Sequence, residues 1–130
     1  MAKVLGVGGV FLSCLSVNAT REWYKSVLGF DLSKNGGAEF FHTDVARQYP
    51  KTGRTIWATF DKNDSPFAPS LSEVMVSLIV EDIDGVVKRA ERAGAQQVQP
   101  RQTFEYGRFA WFMDPDGRKV ELWEPLEPLL

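Results

Sequence analysis

Residues 106–125 read YGRFAWFMDPDGRKVELWEP, and this stretch predicts a β-hairpin. Phe109 to Met113 is rich in aromatic residues, and Lys119 to Glu124 alternates polar and apolar residues, which is the pattern of two strands. Asp114 to Gly117 lies between them. Its proline is preset for the first corner of a type I turn, and its glycine can take the left-handed position that follows.

A three-residue loop of this kind also sets the register of the hairpin. Cross-strand partners share a face, and the predicted pairs on one face are Trp111 with Glu121, Phe109 with Trp123, and Met113 with Lys119. The opposite face is wholly apolar, as expected for a core: Ala110, Phe112, Val120 and Leu122. Glu121 is the only carboxylate on the aromatic face, and apolar walls around one or two polar groups are typical of a small-molecule pocket.

The composition predicts one globular domain that binds neither nucleic acid nor membrane. The chain has 130 residues, of which 44% are hydrophobic and 25% charged, and such a chain can bury a real core. Its net charge of -2 produces no field that favours nucleic acid or an anionic membrane surface. No stretch reaches the roughly 18 apolar residues of a membrane span. The single cysteine, Cys14, excludes an internal disulfide and fits a cytoplasmic protein.

The predicted elements occur twice in the same order. In module 1, residues 4–60, a strand at 10–15 precedes a helix that begins at Asn18 or Thr20 and ends at Gly29. Three further strands of module 1 are predicted at residues 30–33, 39–43 and 55–60.

A polar linker that contains two prolines spans residues 61–72 and separates the modules. In module 2, residues 73–125, the predicted elements are a strand at 75–80, a helix from Asp82 to Gly94, a strand at 95–98, and the hairpin. Because both halves have the order βαβββ, the chain is interpreted as a tandem repeat of one module.

Two segments within this repeated order resemble the vicinal oxygen chelate superfamily: WYKSVLGF at residues 23–30 and DPDGRKVEL at residues 114–122. The superfamily includes glyoxalase I, bleomycin-resistance proteins, fosfomycin-resistance enzymes and extradiol dioxygenases. The resemblance implies an α+β fold in which two βαβββ modules form a curved, mostly antiparallel sheet around a cleft. It implies little about function, because the same modules serve enzymes and binders that do no chemistry.

Enzymes of this superfamily hold a divalent metal with His, Gln or Glu at four strand positions. The matching positions in this chain are Gly9, Trp57, Met75 and Glu121. Only Glu121 has a suitable side chain, and a catalytic site needs at least three protein ligands. No cofactor is therefore predicted and no residue is assigned as a metal ligand. The alternative is a divalent metal whose missing ligands come from a partner subunit, the substrate or water.

Strand alternation and the resemblance together define the candidate site. Glu121 is the candidate catalytic residue, as general acid or base, and the alternative is a solvated or ion-paired strand carboxylate. The candidate substrate-binding residues are Phe11, Ser13, Trp57, Met75, Ser77, Arg108, Trp111 and Trp123. Tryptophans on a concave face favour stacking on a flat ligand, unless they only fill a closed cleft. Arg108 could clamp an anionic group or be solvated.

Three functions remain open at the level of the sequence. The first is a glyoxalase and bleomycin-resistance-like protein that binds a small organic molecule without a metal, and sequesters it or acts on it through Glu121. The second is a metal-dependent lyase, isomerase or dioxygenase. The third is a structural or regulatory module with a filled cleft. We also predict a homodimer, because members of the superfamily usually cover exposed sheet edges by dimerising, sometimes by exchanging modules across the linker.

Overall fold

The computed structural model describes residues 2–128, in which helices pack on one curved, open sheet. The α-helices are α1 (Val17–Leu28), α2 (His42–Gln48) and α3 (Ile83–Arg92), and a 3₁₀ turn spans Lys62–Asp64. The strands are β1 (Val76–Ile79), β2 (Gln96–Phe104), β3 (Gly107–Met113) and β4 (Lys119–Pro125). Their spatial order is β1-β4-β3-β2, with β1 parallel to β4 and the other pairs antiparallel. The predicted α+β class is therefore confirmed.

The hairpin of β3 and β4 has the register predicted from its turn. Trp111 lies opposite Glu121, and the pairs on either side also agree. The Gly117 amide donates to the Asp114 carbonyl at 3.0 Å, and the Asp114 amide donates to the Arg118 carbonyl at 2.8 Å. Gly117 has a φ of 79°, which glycine adopts without the steric cost that a Cβ would bring.

One face of the hairpin forms the core beneath α1 and α3. Ala110, Phe112, Val120 and Leu122 are at most 2% exposed, and they pack against apolar side chains of both helices. Asp82 caps α3 as predicted, since its carboxylate accepts from the Gly85 amide at 3.2 Å. The cap of α1 is Ser16 rather than Asn18 or Thr20. Ser16 has an extended backbone just before the first turn, and its hydroxyl reaches the Ala19 amide at 3.1 Å.

A buried polar contact joins α1 to the turn of the hairpin. The Tyr24 hydroxyl donates to the Asp114 carboxylate at 2.8 Å, and that carboxylate also accepts from the backbone amides of Asp116 and Arg118 at 2.9 Å each. Burial raises the pKa of Tyr24 far above its ordinary value of 10.0, and the hydrogen bond to Asp114 adds to this effect. The Asp-Pro-Asp-Gly turn therefore positions a helix as well as two strands.

The four strands predicted for module 1 are not formed in residues 2–128. Residues 10–15, 30–33 and 55–60 have no strand pairing, and residues 39–43 run into α2, which begins at His42. A strand requires a neighbour for its backbone hydrogen bonds, and the described chain offers these segments none. The βαβββ order is therefore not confirmed for the first half. No helix among the described residues is long and apolar enough to cross a membrane.

Candidate functional site

The second face of the hairpin carries a row of stacked rings, here called the aromatic row: Trp111, Phe109 and Trp123. The Phe109 ring stacks on Trp111 with centroids 5.9 Å apart, and on Trp123 with centroids 6.3 Å apart. The three residues are only 5–8% exposed, and Met75 and Ile79 are among the side chains packed against them. The aromatic row is therefore a closely packed, largely buried apolar strip of this face.

Glu121 lies at the border of the aromatic row, and both of its carboxylate oxygens accept hydrogen bonds. Oε1 accepts from the Ser77 hydroxyl at 2.7 Å, and Oε2 accepts from the indole Nε1–H of Trp111 at 3.0 Å. Ser77 reaches Glu121 because β1 runs parallel to β4 with these two residues in register. Glu121 is only partly buried and Ser77 is exposed, so solutes can approach the carboxylate.

The Glu121 carboxylate forms no close ion pair within the described part of the chain. No Lys or Arg nitrogen in residues 2–128 lies within 4.0 Å of a Glu121 oxygen. Its partners are a hydroxyl and an indole N–H, both neutral donors. The carboxylate is therefore oriented by side chains of β1 and β3. No Lys or Arg of the described chain lies close enough to neutralise its charge. A ligand that donates an N–H or O–H group can use its remaining lone pairs.

Lys119 is a polar residue of this face that the sequence analysis did not assign to the site. The residue is 2% exposed, and its Nζ lies 5.6 Å from the centroid of the Trp111 ring. Nζ donates to the carbonyls of Pro66 and Ala68 at 2.8 and 3.0 Å, and to Oε1 of Gln99 at 2.6 Å. Burial lowers the pKa of Lys119, and the nearby charge of the Glu121 carboxylate acts in the opposite direction.

The hairpin register places Lys119 on the aromatic face, but no local signal could have shown that it is buried. A lysine at the start of a strand beside a turn is usually solvated, because lysine is almost never fully buried without a partner. Its burial results from residues 66–68 of the linker, which lie across the hairpin and are 51 to 53 positions away in the chain. Only the tertiary structure brings the linker to Lys119.

The structure brings one group of the predicted site residues together. The carboxylate of Glu121, the Ser77 hydroxyl and the Trp111 indole are in direct contact. Trp123 belongs to the same aromatic row, and Met75 packs against that row. These residues all come from module 2, whose strands are formed.

Four predicted residues lie elsewhere: Phe11, Ser13, Trp57 and Arg108. Phe11 and Trp57 are 93% and 80% exposed, because their segments have no strand pairing that would direct them toward Glu121. The Ser13 carbonyl accepts from the Arg118 guanidinium near the turn. Arg108 alternates onto the helix face, where it pairs with Glu124 at 3.4 Å, so its expected place at the cleft is not observed.

Two open depressions lie outside this group. One, of about 560 Å³, lies between α1 and residues 30–33. The other, of about 500 Å³, lies between residues 69–72 of the linker and the turn of the hairpin. Glu121 lines neither of them. The cleft expected between two modules is therefore not reproduced by these depressions.

The residues around Glu121 do not fit the divalent metal site of superfamily enzymes. Within residues 2–128, no group of three or more His, Cys, Asp and Glu side chains is arranged to hold an ion. The indole N–H that points at Oε2 is a donor only and has no lone pair for a metal. Ser77 and Met75 do not replace the missing hard or borderline ligands. Among the described residues, the groups next to Glu121 offer hydrogen bonding and apolar contact.

Comparisons with known proteins agree on the type of domain. A family model described as a glyoxalase-like domain matches residues 9–123. The glyoxylase/bleomycin resistance protein/dioxygenase domain from Frankia sp. EAN1pec is 20% identical, with 95% of this chain and 100% of that chain covered and a TM-score of 0.57. None of the curated proteins matches the chain significantly.

Two further solved structures match with lower TM-scores. A glyoxalase/bleomycin resistance protein/dioxygenase superfamily member from Sphaerobacter thermophilus is 36% identical, but only 38% of this chain and 40% of that chain are covered, with a TM-score of 0.35. TnmS3, an antibiotic binding protein from Streptomyces sp. CB03234, is 20% identical over 84% of this chain and 86% of that chain, with a TM-score of 0.49.

Proposed function

The chain belongs to the glyoxalase-like domain family, and we propose that it binds a small, flat organic molecule beside Glu121 without a metal ion. One observation carries this proposal: the Glu121 carboxylate is held by Ser77 and the Trp111 indole at the border of the aromatic row. A fixed acceptor next to apolar side chains is the composition of small-molecule sites. The same modules serve enzymes and non-catalytic binders, so the family does not decide between sequestration and turnover.

Glu121 would act as the polar recognition point of this site. A carboxylate has about four lone-pair positions, and the protein donors Ser77 and Trp111 use two of them. A hydroxyl or amide N–H of the ligand would donate to one of the remaining lone-pair positions of Glu121. The ring of the ligand would lie against the partly buried side chains of Met75 and Ile79. If the protein catalyses a reaction, Glu121 is the group placed to accept a proton from the bound molecule.

The proposal includes a second copy of the chain, which would cover exposed apolar segments. Leu15, Phe11 and Trp57 are 97%, 93% and 80% exposed on segments that are not paired in residues 2–128. Within the same part of the chain, the outer edge of β1 carries no neighbouring strand. Exposed apolar segments and open sheet edges both favour pairing with another chain. Because β1 supplies Ser77, a partner strand there would also enclose the site.

Light scattering tests the dimer. We expect twice the 14.6 kDa chain mass at micromolar concentration. Trp57→Asp should shift the protein toward the monomer mass, because it places a charge in the proposed interface. Asn63→Asp is the control, since it adds the same charge at an exposed residue that is already polar. A monomer mass for the unmodified protein would contradict the dimer.

Isothermal titration calorimetry with 2-naphthol tests binding, because this probe has a flat ring system and one hydroxyl donor. We expect the unmodified protein to bind it, and Glu121→Gln to weaken binding about tenfold, since hydrogen bonds to charged groups are stronger than neutral ones by about 1–1.5 kcal/mol. Glu73→Gln removes the same charge at an exposed position and should have no effect. Absence of binding would contradict the proposed function, and equal affinity in Glu121→Gln would place the probe elsewhere.

A further inference from the structure

We propose that Lys119 is an anchor for a negatively charged oxygen group, so that the molecule bound beside Glu121 is a flat aromatic carboxylate. This inference rests on the proposed function and adds the chemical class of the ligand. In the described chain the Lys119 amino group holds two linker carbonyls, those of Pro66 and Ala68, at 2.8 and 3.0 Å. A ligand carboxylate would take the place of one or both of these carbonyls as an acceptor of the ammonium protons.

Within residues 2–128, the buried Lys119 ammonium is hydrogen-bonded to no carboxylate. No Asp or Glu oxygen in residues 2–128 lies within 4.0 Å of its Nζ. Its acceptors are two backbone carbonyls and the Gln99 amide oxygen, and all of them are neutral. A buried ammonium is normally paired with an ionised group, because neutral dipoles replace only part of its hydration. A carboxylate that displaced the carbonyls would form shorter, charge-assisted hydrogen bonds with the same nitrogen.

The contacts that hold the linker over Lys119 are mainly polar, together with one edge-to-face contact between Phe67 and Phe60 with centroids 5.9 Å apart. Besides the lysine, the Ser70 hydroxyl donates to the Gly117 carbonyl at 2.5 Å. Leu71 in the same segment is 99% exposed. Segments that bury little apolar surface open with a small fraction of the global free energy of unfolding. When residues 66–71 lift, Lys119 and the adjoining side of the Trp111 ring become accessible together.

The charges around Trp111 also orient the bound molecule. Lys119 lies over the ring, and Glu121 accepts from the indole nitrogen of the same side chain. The negative Glu121 repels a carboxylate at its own end of the site, whereas Lys119 attracts one. A ligand would therefore direct its carboxylate to Lys119 and a neutral or hydrogen-donating group to Glu121. Gln99 stays as the third acceptor and keeps the ammonium in place.

Calorimetric titration with 6-hydroxy-2-naphthoate and with its methyl ester tests the role of Lys119, because the two probes share a ring and a hydroxyl donor for Glu121 and differ in charge. The unmodified protein should bind the naphthoate at least about tenfold more tightly. Lys119→Met keeps the apolar stem, removes the charge and should abolish this preference. Lys88→Met removes the same charge from an exposed position of α3 and should retain it.

The outcomes separate this inference from the proposed function. Equal binding of both probes by the unmodified protein overturns the role of Lys119 and leaves the aromatic site standing, whereas absence of binding overturns both. If Lys119→Met still binds the naphthoate more tightly than the ester, the role of Lys119 is also overturned. Should Lys119→Met fail to fold, the unmodified protein still provides a test by NMR. On adding the naphthoate, the Lys119 Cε resonance should move and the amides of residues 66–71 should exchange faster with solvent. The ester should cause neither change. A Lys119 resonance that does not move with the naphthoate rejects the inference.

Discussion

Replacing Glu121 by leucine should destabilise the protein more than replacing it by glutamine. The indole Nε1–H of Trp111 donates to Glu121 at 3.0 Å, and Trp111 is 6% exposed, so leucine would leave a buried donor without an acceptor. Glutamine retains one oxygen for the indole. Its amide can donate to the Ser77 hydroxyl, which rotates to accept.

The magnitudes follow from the kind of hydrogen bond that each variant loses. A bond to a charged group contributes about 1.5–3 kcal/mol and a neutral one about 0.5–1.5 kcal/mol, so glutamine should cost about 1 kcal/mol. Leucine removes the whole bond and leaves the indole N–H unsatisfied, which should cost about 2–3 kcal/mol. Ser77 adds little in either variant, because it is exposed and can donate to water.

Urea denaturation at one fixed protein concentration, followed by tryptophan fluorescence, measures both values. The concentration must be held constant because association would contribute to the apparent free energy of unfolding. If Glu121 were a merely solvated strand residue, leucine would be neutral or stabilising beside the aromatic row. A Glu121→Leu protein as stable as the unmodified one would therefore refute the assigned geometry.

Three further predictions concern the scaffold and the metal. Tyr24→Phe should lower the free energy of unfolding by about 1.5–3 kcal/mol, because the Tyr24 hydroxyl donates to the buried Asp114 carboxylate. Tyr106→Phe, at a residue that is 57% exposed, should change it by less than about 0.5 kcal/mol. Similar values for the two variants would contradict the contact between Tyr24 and Asp114. Burial raises the pKa of Tyr24 and raises that of Tyr49 to about 12, so the stability that these groups contribute is complete below their unfolded pKa of 10.0 and is lost as the pH rises through the folded values. The urea midpoint should therefore fall above pH 10.0, and an unchanged midpoint would argue against their burial. Elemental analysis should find less than one Ni, Zn, Mn or Fe ion per chain, with no gain in activity on adding them, and one tightly held ion per chain would show that ligands come from elsewhere.

The hairpin and its surroundings could be predicted because they depend on local physics. The turn residues 114–117 set the register, and the register places Trp111 beside Glu121. The spacing of polar and apolar residues likewise predicted the capping residue Asp82 and the apolar stripe of α3. The position of Arg108 outside the site could also have been predicted, because strand alternation places this residue with Ala110 on the helix face.

Long-range contacts decided the remainder. Residues 10–15 and 55–60 have strand-like patterns, but a strand forms only where another backbone pairs with it, and no local pattern specifies that partner. The burial of Lys119 depends on linker carbonyls more than 50 positions away, so its role could not be read from its own neighbourhood. By itself, the sequence determined the hairpin, its two faces and the position of Glu121, because turn geometry and alternation act over a few residues. The tertiary structure alone decided which segments are paired and which charges are buried, because pairing and desolvation depend on groups that only the folded chain brings together.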